Sequence, residues 1–410
     1  MDVGKSELPD RLFWLATEDE IKSALTTDVY FKYTVDVLEK VGITPEVIMQ
    51  VYARNLPYED NWGVVAGIYE VAKLLEGLPI DVKAMEEGEI FQCAPESVIY
   101  EPVLEIRGSY TSFAAYENPI LGLLATSSSV STKSARIKSL IGDKVAFSFG
   151  SRRAHPVLAP TIERAAYVGG IDRVSNILAA RLLGKKPIGT MPHALIQVIG
   201  DSKKAWKAFN ESMEKDVPRI VLIDTFSDEK QEAISALALL GKSLDGVRLD
   251  TPKSRRGDLR RIIEEVRWEM SIRGGKNVKI FVSGGLDEAE IQNVVDVADG
   301  FGVGSCISSP PVIDFSAKIV EVPGSTNPYR AKRGDISGSK QVYRKKGTFQ
   351  DIVTLSKNRP PKGYQPLLTE LIKKGKIIRK FETVDQIRHR VLANIRSLAS
   401  HEPSISWDLA

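Results

Sequence analysis

The residues most able to do chemistry in this sequence follow a short apolar segment that we predict to be a strand. Arg152, Arg153 and His155 come directly after KVAFSFG (144–150), and a predicted helix follows them. Cationic side chains between a strand and a helix are typical of anion-binding sites in α/β proteins. The alternative interpretation is a cluster of surface ion pairs without a functional role.

Similar residues recur at five further predicted strand ends. They are Thr190 with His193, Asp224, Arg248 with Asp250, Ser283 with Gly284 and Gly285, and Gly304 with Ser305. Taken singly, each has an ordinary explanation as a helix cap, a structural ion pair, a tight turn or a hydrogen-bonded histidine. Because the carboxyl ends of parallel barrel strands meet at one rim, together they indicate a single site.

The residue types suit a phosphorylated sugar together with a small anion. Glycine-rich turns let backbone N–H groups approach a phosphate, and arginine binds phosphate or carboxylate through two parallel hydrogen bonds. Asp224, Asp250 and Asp172, the last in GGID, offer oxygens for Mg²⁺ or for sugar hydroxyls. The segment TSSSVSTKSARI (126–137) adds hydroxyls and cations, although an N-capped surface helix explains it equally well.

The elements that must position these residues alternate along residues 121–312. Short apolar segments such as RIVLIDTF and VKIFVSGGL are separated by amphipathic stretches such as DEKQEAISALALLG. This alternation predicts parallel strands buried on both faces by helices. A closed or nearly closed barrel accommodates about six such units, with an open doubly wound sheet as the alternative.

The remaining sequence predicts two smaller parts. Residues 1–120 combine helical periodicity with later β-branched and aromatic segments, which indicates a mixed α+β domain. Residues 313–410 begin with a basic, glycine-rich stretch and finish with an amphipathic segment, which predicts a loop-rich C-terminal region and a closing helix. The expected fold class is therefore α/β: an irregular (β/α) barrel with an N-terminal α+β domain and a small C-terminal region.

Composition excludes several classes of protein. The 56 Lys and Arg residues against 53 Asp and Glu give a net charge of only +3, which argues against a nucleic-acid binder. Two cysteines, Cys93 and Cys306, are too few for a disulfide framework or a four-cysteine zinc site. The sequence has no apolar run near the roughly 20 residues that span a bilayer, and its start does not look like a signal peptide. We therefore expect a cytoplasmic protein without membrane partners.

Nine segments in order along the chain resemble the nicotinate phosphoribosyltransferase family, within the type II phosphoribosyltransferases. They are TDVYFKYT (27–34), TSSSVSTKSARI, FGSRRAHP, GGIDRVSN (169–176), GTMPHAL (189–195), LIDTF (222–226), GVRLD (246–250), SGGLDE (283–288) and GVGS. The later segment AKRGDISGSKQVYR (331–344) is similar to the family's C-terminal part. The resemblance covers nearly the whole chain.

The resemblance implies a reaction, a cofactor and an assembly. Phosphoribose would pass from phosphoribosyl pyrophosphate to nicotinate, giving nicotinate mononucleotide and pyrophosphate in NAD salvage, with Mg²⁺ bound and ATP hydrolysed as a co-substrate. The family also implies a homodimer, or a higher oligomer, whose subunits share active sites. Some relatives have a cysteine-based zinc knuckle near the C-terminus, and since no cysteine follows Cys306, no zinc is expected here.

The family pattern also assigns roles to individual residues. Tyr30 of one subunit and Phe149 of the other would sandwich the pyridine ring, with Arg152 near the ring and the phosphates. Arg248 and Asp250 would hold ribose and pyrophosphate, and the glycine turns the 5′-phosphate. His193 matches the histidine that ATP phosphorylates in this family.

Three other functions remain alternatives. Nicotinamide phosphoribosyltransferases share the fold and the chemistry but use a neutral ring, which needs no second cation such as Arg153. Quinolinate phosphoribosyltransferases are shorter and need more cations for a dicarboxylate. A catalytically silent nucleotide-binding protein belongs to a different class, and the presence of His193, Asp224, Arg248 and Asp250 together argues against it.

Overall fold

A computed structural model describes residues 12–58, 61–93, 100–254, 257–324 and 330–409. The described strands are β1 Glu46–Asn55, β2 Trp62–Val64, β3 Ile80–Ala84, β4 Ile90–Gln92, β5 Pro102–Ser109, β6 Val145–Ser148, β7 Arg173–Val174, β8 Ile220–Leu222, β9 Gly246–Leu249, β10 Lys279–Val282, β11 Gly300–Val303, β12 Asp314–Glu321, β13 Lys340–Lys345, β14 Gln350–Leu355, β15 Tyr364–Pro366, β16 Thr369–Lys373, β17 Lys376–Ile377 and β18 Ser404–Asp408.

The described α-helices lie between these strands and after them. They are α1 Glu18–Lys22, α2 Val29–Lys40, α3 Ile68–Leu75, α4 Glu117–Ile141, α5 Ala159–Val168, α6 Ile177–Leu182, α7 His193–Ile199, α8 Ser202–Ser212, α9 Glu229–Leu240, α10 Leu259–Ile272, α11 Glu288–Val294, α12 Ser305–Ser308 and α13 Val384–Leu398.

One sheet carries the strand ends that predicted the site, except that residues 185–192, which come before His193, form a loop and not the predicted strand. Its order is β7-β6-β11-β10-β9-β8, and every neighbouring pair is parallel. Strands β8 and β11 are buried throughout, as expected for parallel strands between layers of helices. The sheet is curled and has edges at β7 and β8, so the predicted irregular (β/α) barrel is confirmed as an open barrel.

A second, mostly antiparallel sheet joins the two ends of the chain. Its order is β12-β1-β5-β3-β16-β17, so strands from the last hundred residues flank strands from the first hundred. Another sheet, β15-β13-β14-β18, lies entirely within residues 340–408. The C-terminal region therefore contains far more strand than a loop-rich segment, and its predicted closing helix corresponds to α13. The boundaries near residues 120 and 312 remain predictions.

The long helix α4 lies between the two cores and explains the hydroxyl-rich segment 126–137. Its hydroxyls accept hydrogen bonds from backbone N–H groups outside the parallel sheet. The pairs are Thr132 with Val64 of β2 at 2.9 Å, Ser128 with Ala66 just after β2 at 3.0 Å, and Ser129 with Ile313 just before β12 at 2.8 Å. Lys133 and Arg136 both bind Glu288, at 2.6 and 3.0 Å. The segment is thus a buried structural helix, and the surface-helix interpretation is wrong.

Behind the end of β6, helix α5 buries a carboxyl group that forms no ion pair with any described residue. Glu163 is 0% exposed, and neither of its carboxylate oxygens has a hydrogen-bond partner in the described part of the chain. Burial raises the pKa of Glu163 from 4.5 to about 7, although the neighbouring Ser148 hydroxyl limits the rise.

This shift predicts a pH-dependent stability. Between pH 4.5 and about 7 the folded chain holds a proton on Glu163 that the unfolded chain releases, so the stability from this group is lost as pH rises through about 7. The free energy of unfolding of the wild type should fall by about 3 kcal/mol over this pH range because of Glu163. Glu163→Gln should not show this fall, because glutamine does not titrate. Urea unfolding at about pH 5 and about pH 8 measures it, with the exposed Glu211→Gln as control. A wild-type pH slope in Glu163→Gln would contradict the prediction.

Candidate active site

The residues that follow three neighbouring strands of the parallel sheet contact one another. Asp224, Asp250 and Ser283 come after β8, β9 and β10 respectively. The backbone N–H of Asp250 donates to Asp224 Oδ2 at 2.8 Å, and the Ser283 hydroxyl donates to Asp250 Oδ1 at 2.6 Å. These bonds fix both carboxylates at the carboxyl edge of the sheet, as the alternating pattern predicts.

His193 faces the same two carboxylates from the start of α7. The extended backbone of Pro192, with φ −88° and ψ 155°, ends the preceding loop and makes His193 the first helical residue. Its Nε2 lies 3.4 Å from Asp250 Oδ2 and 3.7 Å from Asp224 Oδ1. The contact with Asp250 raises the pKa of His193, and burial opposes this only in part.

The two carboxylates differ in their environments. The Asp224 side chain is only 4% exposed, and burial raises its pKa. Burial acts in the same direction on Asp250, but contacts with His193 and Ser283 outweigh it, so the pKa of Asp250 is lowered. Asp224 Oδ1 has no hydrogen-bond partner among the described residues. This oxygen and Asp250 Oδ2 are carboxylate oxygens, which are suitable ligands for Mg²⁺. Protein-bound Mg²⁺ is usually held by one or two carboxylates and keeps several water ligands.

No group of three or more His, Cys, Asp or Glu side chains suited to a metal is found in the described ranges. A metal at this rim would therefore rely on water or substrate oxygens for its remaining ligands.

Arg248 lies between these carboxylates and an aromatic ring. Its side chain is 11% exposed, donates to the Thr190 hydroxyl and comes within 3.9 Å of Asp250 Oδ2. The guanidinium carbon lies 5.4 Å from the centroid of Phe149, a cation–π contact. Its Nε has no hydrogen-bond partner in the described part of the chain, so a donor is left for an anion.

Phe149 reaches this position because the neighbouring strand has no side chain to block it. Its backbone N–H donates to the Val303 carbonyl oxygen at 2.8 Å, which extends the β6–β11 pairing by one residue. A Cβ atom at Gly302 would lie 2.3 and 2.6 Å from atoms of the Phe149 ring. Glycine at position 302 therefore allows the ring to lie across β11.

The glycine turns follow β10 and β11. Gly284 and Gly285 have φ of +92° and +74°, a left-handed backbone conformation that residues with a side chain rarely adopt. A Cβ at Gly284 would lie 2.8 Å from the Asp250 carbonyl oxygen, so this turn packs directly against the carboxylates. Gly304 precedes α12, and Ser305 is the first residue of that helix.

The cationic segment that follows Phe149 is exposed. Arg152 and Arg153 lie in a 3₁₀ turn, and neither forms an ion pair with a described residue. The exposed His155 accepts a hydrogen bond at Nδ1 from the Val157 backbone at 3.3 Å. The described structure therefore does not support the alternative interpretation, a cluster of surface ion pairs. Both guanidinium groups can bind an anion.

Two predicted site residues lie elsewhere. Asp172 is at the amino end of the sheet, where it accepts from Ala146 N–H at 2.9 Å and pairs with Lys138 at 3.0 Å and Arg388 at 2.8 Å. This structural network, rather than a ligand, uses both of its carboxylate oxygens. Tyr30 lies on α2 with 54% of its surface exposed, and its ring contact within the chain is with Phe31 at 4.3 Å.

Sequence reasoning missed two residues next to His193. The Thr225 hydroxyl lies 3.0 Å from His193 Nδ1, and Glu232 accepts from the backbone N–H of Thr225 at 3.2 Å. Thr225 directly follows Asp224 at a strand end, so its position was a usable signal. Glu232 had no such signal, because in the helical segment DEKQEAIS a buried glutamate cannot be distinguished from an exposed one.

Comparison with known proteins finds two matching family models. The quinolinate phosphoribosyl transferase N-terminal domain matches residues 28–128, and the C-terminal domain matches residues 130–318. No helix among the described residues is both long and apolar enough to cross a membrane.

Relatives with known names cover most of the chain. Nicotinate phosphoribosyltransferase of Bacillus subtilis is 25% identical, over 92% of this chain and 83% of that protein. Nicotinate phosphoribosyltransferase pncB1 of Mycobacterium tuberculosis is 28% identical over 85% of each. A crystal structure of nicotinate-nucleotide pyrophosphorylase from Pyrococcus furiosus is 48% identical, with a TM-score of 0.90 over 95% of this chain and 99% of that one. Human nicotinic acid phosphoribosyltransferase shares the fold, with a TM-score of 0.74 at 18% identity over 94% of this chain and 97% of that one.

Proposed function

Because this chain belongs to the nicotinate phosphoribosyltransferase family, we propose that it transfers phosphoribose from phosphoribosyl pyrophosphate to nicotinate. The products are nicotinate mononucleotide and pyrophosphate, which places the reaction in NAD synthesis by salvage. One observation carries the proposal: at the carboxyl rim of a parallel sheet, His193 lies within 4 Å of both Asp224 and Asp250, and Arg248 lies within 4 Å of Asp250.

Nicotinate would bind between the aromatic and cationic residues that follow β6. Phe149 offers a ring face, and the exposed Arg152 and Arg153 can complement the carboxylate. Arg248 also lies over Phe149, so the pyridine ring would share that face with the guanidinium group. In this arrangement the ring nitrogen would lie near Arg248, which would face the leaving pyrophosphate.

Phosphoribosyl pyrophosphate would occupy the rest of the rim. The turns at Gly284–Gly285 and Gly304–Ser305 would approach the 5′-phosphate through backbone N–H groups. Asp224 and Asp250 would hold the ribose hydroxyls or Mg²⁺, which supplies charge neutralisation of the pyrophosphate when it is bound. Thr190, which accepts from Arg248, would keep that guanidinium group aimed at the same anion.

The chemistry would need no protein nucleophile. The bond from ribose C1 to the pyrophosphate oxygen breaks with its electron pair on oxygen, and the pyridine nitrogen supplies the pair for the new C1–N bond. Arg248 stabilises negative charge as it develops on the leaving group, which is electrostatic catalysis by a fixed group. Holding the ring against Phe149 aims the nitrogen and lowers the entropic cost of the step.

Three further features belong to the proposal. ATP would phosphorylate His193, and the added charge beside the pyrophosphate site would couple hydrolysis to transfer. Tyr30, exposed on α2, would complete the nicotinate site of the partner in a homodimer. A cytoplasmic location agrees with these soluble substrates.

The first test of the proposal is substrate choice. Because the Arg152 and Arg153 guanidinium groups complement a carboxylate, we expect nicotinate to be used at least about 100-fold better than nicotinamide. Pyrophosphate release with nicotinate, nicotinamide or quinolinate, each with and without ATP, measures this preference. Arg152→Gln should narrow it, whereas Arg261→Gln on the exposed surface of α10 should leave it unchanged.

The alternatives make different predictions for the same assay. Equal use of nicotinate and nicotinamide would contradict the role of the arginines. A preference for quinolinate would favour the activity after which the matching family models are named. No pyrophosphate release with any ring would favour a silent nucleotide-binding protein.

A further inference from the structure

The His193 ring contacts Thr225, a residue to which the proposed function gives no role. Its Nδ1 lies 3.0 Å from the Thr225 hydroxyl, whereas its Nε2 lies 3.4 Å and 3.7 Å from the two carboxylates. The contact with Thr225 is therefore the shortest polar contact of the imidazole with the described residues. The His193 side chain is also 33% exposed, so packing alone does not fix the ring.

Thr225 is itself held by a buried carboxylate on α9. Glu232 is 4% exposed, and its Oε2 accepts from the Thr225 backbone N–H at 3.2 Å. Its Oε1 accepts from the Phe226 N–H at 3.3 Å and from the Ser202 hydroxyl on α8 at 2.7 Å. Two helices therefore fix the turn that carries Thr225.

We propose that Thr225, held in place by Glu232, is a positioning residue for His193. The hydroxyl fixes one edge of the imidazole, so the opposite edge faces Asp224 and Asp250. Without this contact, the partly exposed ring can rotate away from the carboxylates, because the remaining contacts are longer. The inference rests on the proposed function of His193, which it deepens by naming the residues that orient the reacting ring.

The test is a double-mutant cycle between positions 225 and 193. Thr225→Val keeps the shape of the side chain and removes the hydroxyl, whereas Thr225→Ser keeps the hydroxyl. We expect Thr225→Val to lower kcat/KM for ATP-supported phosphoribosyl transfer about tenfold, as for one lost hydrogen bond to a functional group. Thr225→Ser should restore most of it. Thr225→Val in a His193→Ala background should cause no further loss, because the ring it orients is absent.

Two further variants separate positioning from folding. Glu232→Gln keeps one acceptor oxygen on an amide of the same shape and should give an intermediate loss, while Thr348→Val, in the exposed turn between β13 and β14, should give none. Thermal midpoints for all variants identify any loss that comes from unfolding. Additive effects of Thr225→Val and His193→Ala, or equal rates for Thr225→Val and Thr225→Ser, would overturn the inference.

The same assay distinguishes this inference from the proposed function. A wild-type enzyme whose transfer is not stimulated by ATP would overturn the coupling role of His193. The cycle, measured on transfer itself, would still report whether Thr225 acts through His193. Coupling between the two positions supports the inference in either case.

Discussion

Heterodimers that pair an Arg248→Ala protomer with a Tyr30→Ala protomer should recover about half of the wild-type activity, because one of their two composite sites is intact. The reason is the position of the two residues within one chain. Arg248 is buried at the rim of the parallel sheet, whereas Tyr30 is 54% exposed on α2 and has no described contact with that rim. A partner subunit would bring Tyr30 to the ring face of Phe149.

Each single variant should be strongly impaired as a homodimer. Loss of Arg248 removes the buried cation that faces the leaving pyrophosphate, and we expect kcat/KM to fall about a thousandfold. Loss of Tyr30 removes one stacking face, for which we expect about a tenfold fall. Purification through two different affinity tags isolates the heterodimer from both homodimers.

A matched heterodimer makes this test decisive. A wild-type protomer paired with one that carries both substitutions has no intact composite site, so its activity should be about a twentieth of wild type if sites are shared, all of it from the site that lacks only Tyr30. If Tyr30 and Arg248 instead serve the same site within one chain, the two results reverse. About half of the wild-type activity in the wild-type–double-mutant pair, with about a twentieth in the other pair, would contradict the shared site.

The residues of the rim could be predicted from the sequence because parallel strands have a common direction. Asp224, Asp250 and Ser283 each follow an apolar segment, and a sheet with this alternation brings their backbones to one edge. The hydrogen bonds that join them follow from that placement. The same pattern put Arg248 in β9, near the end of that strand. His193 also reaches the rim, but it does so from the start of α7 after a loop, because residues 185–192 do not form the predicted strand.

Asp172 shows where this reasoning fails. It lies after a helix and before β7, so it is at the amino edge of the sheet, opposite the rim. Its partner Arg388 is 216 residues away, on a helix from the end of the chain. The local sequence pattern carries no information about so distant a contact. The segment GGID would read the same whether or not its aspartate paired with Arg388.

The prediction of a loop-rich C-terminal region was wrong for a related reason. β12 pairs with β1 and β16 pairs with β3, so strands distant in sequence stabilise each other. The basic and glycine-rich segment AKRGDISGSK runs into β13, and the consecutive residues Val342 and Tyr343 are both buried there, so β13 lacks the alternation that identifies a strand from sequence. Pairing with a distant strand, rather than local propensity, decides the conformation of these residues.

His193→Ala should fold normally and lose the stimulation of transfer by ATP. The residue begins α7 after an extended proline and is 33% exposed, so its removal leaves no large cavity. Its Nε2 faces two carboxylates at the rim where pyrophosphate would bind, and this position suits a group that gains charge during turnover. A phosphoryl group adds about two negative charges there, which changes the affinity of the site for its anions.

Three measurements distinguish this role from a structural one. The variant should retain slow transfer from phosphoribosyl pyrophosphate and bind nicotinate, but lose the nicotinate-dependent hydrolysis of ATP. Wild-type protein incubated with γ-labelled ATP should give an acid-labile, base-stable phosphoprotein, as expected for phosphohistidine, and His193→Ala should give none. The exposed His401→Ala serves as the matched control and should label like wild type. Label that persists in His193→Ala, or undiminished stimulation by ATP, would show that another residue couples ATP to transfer.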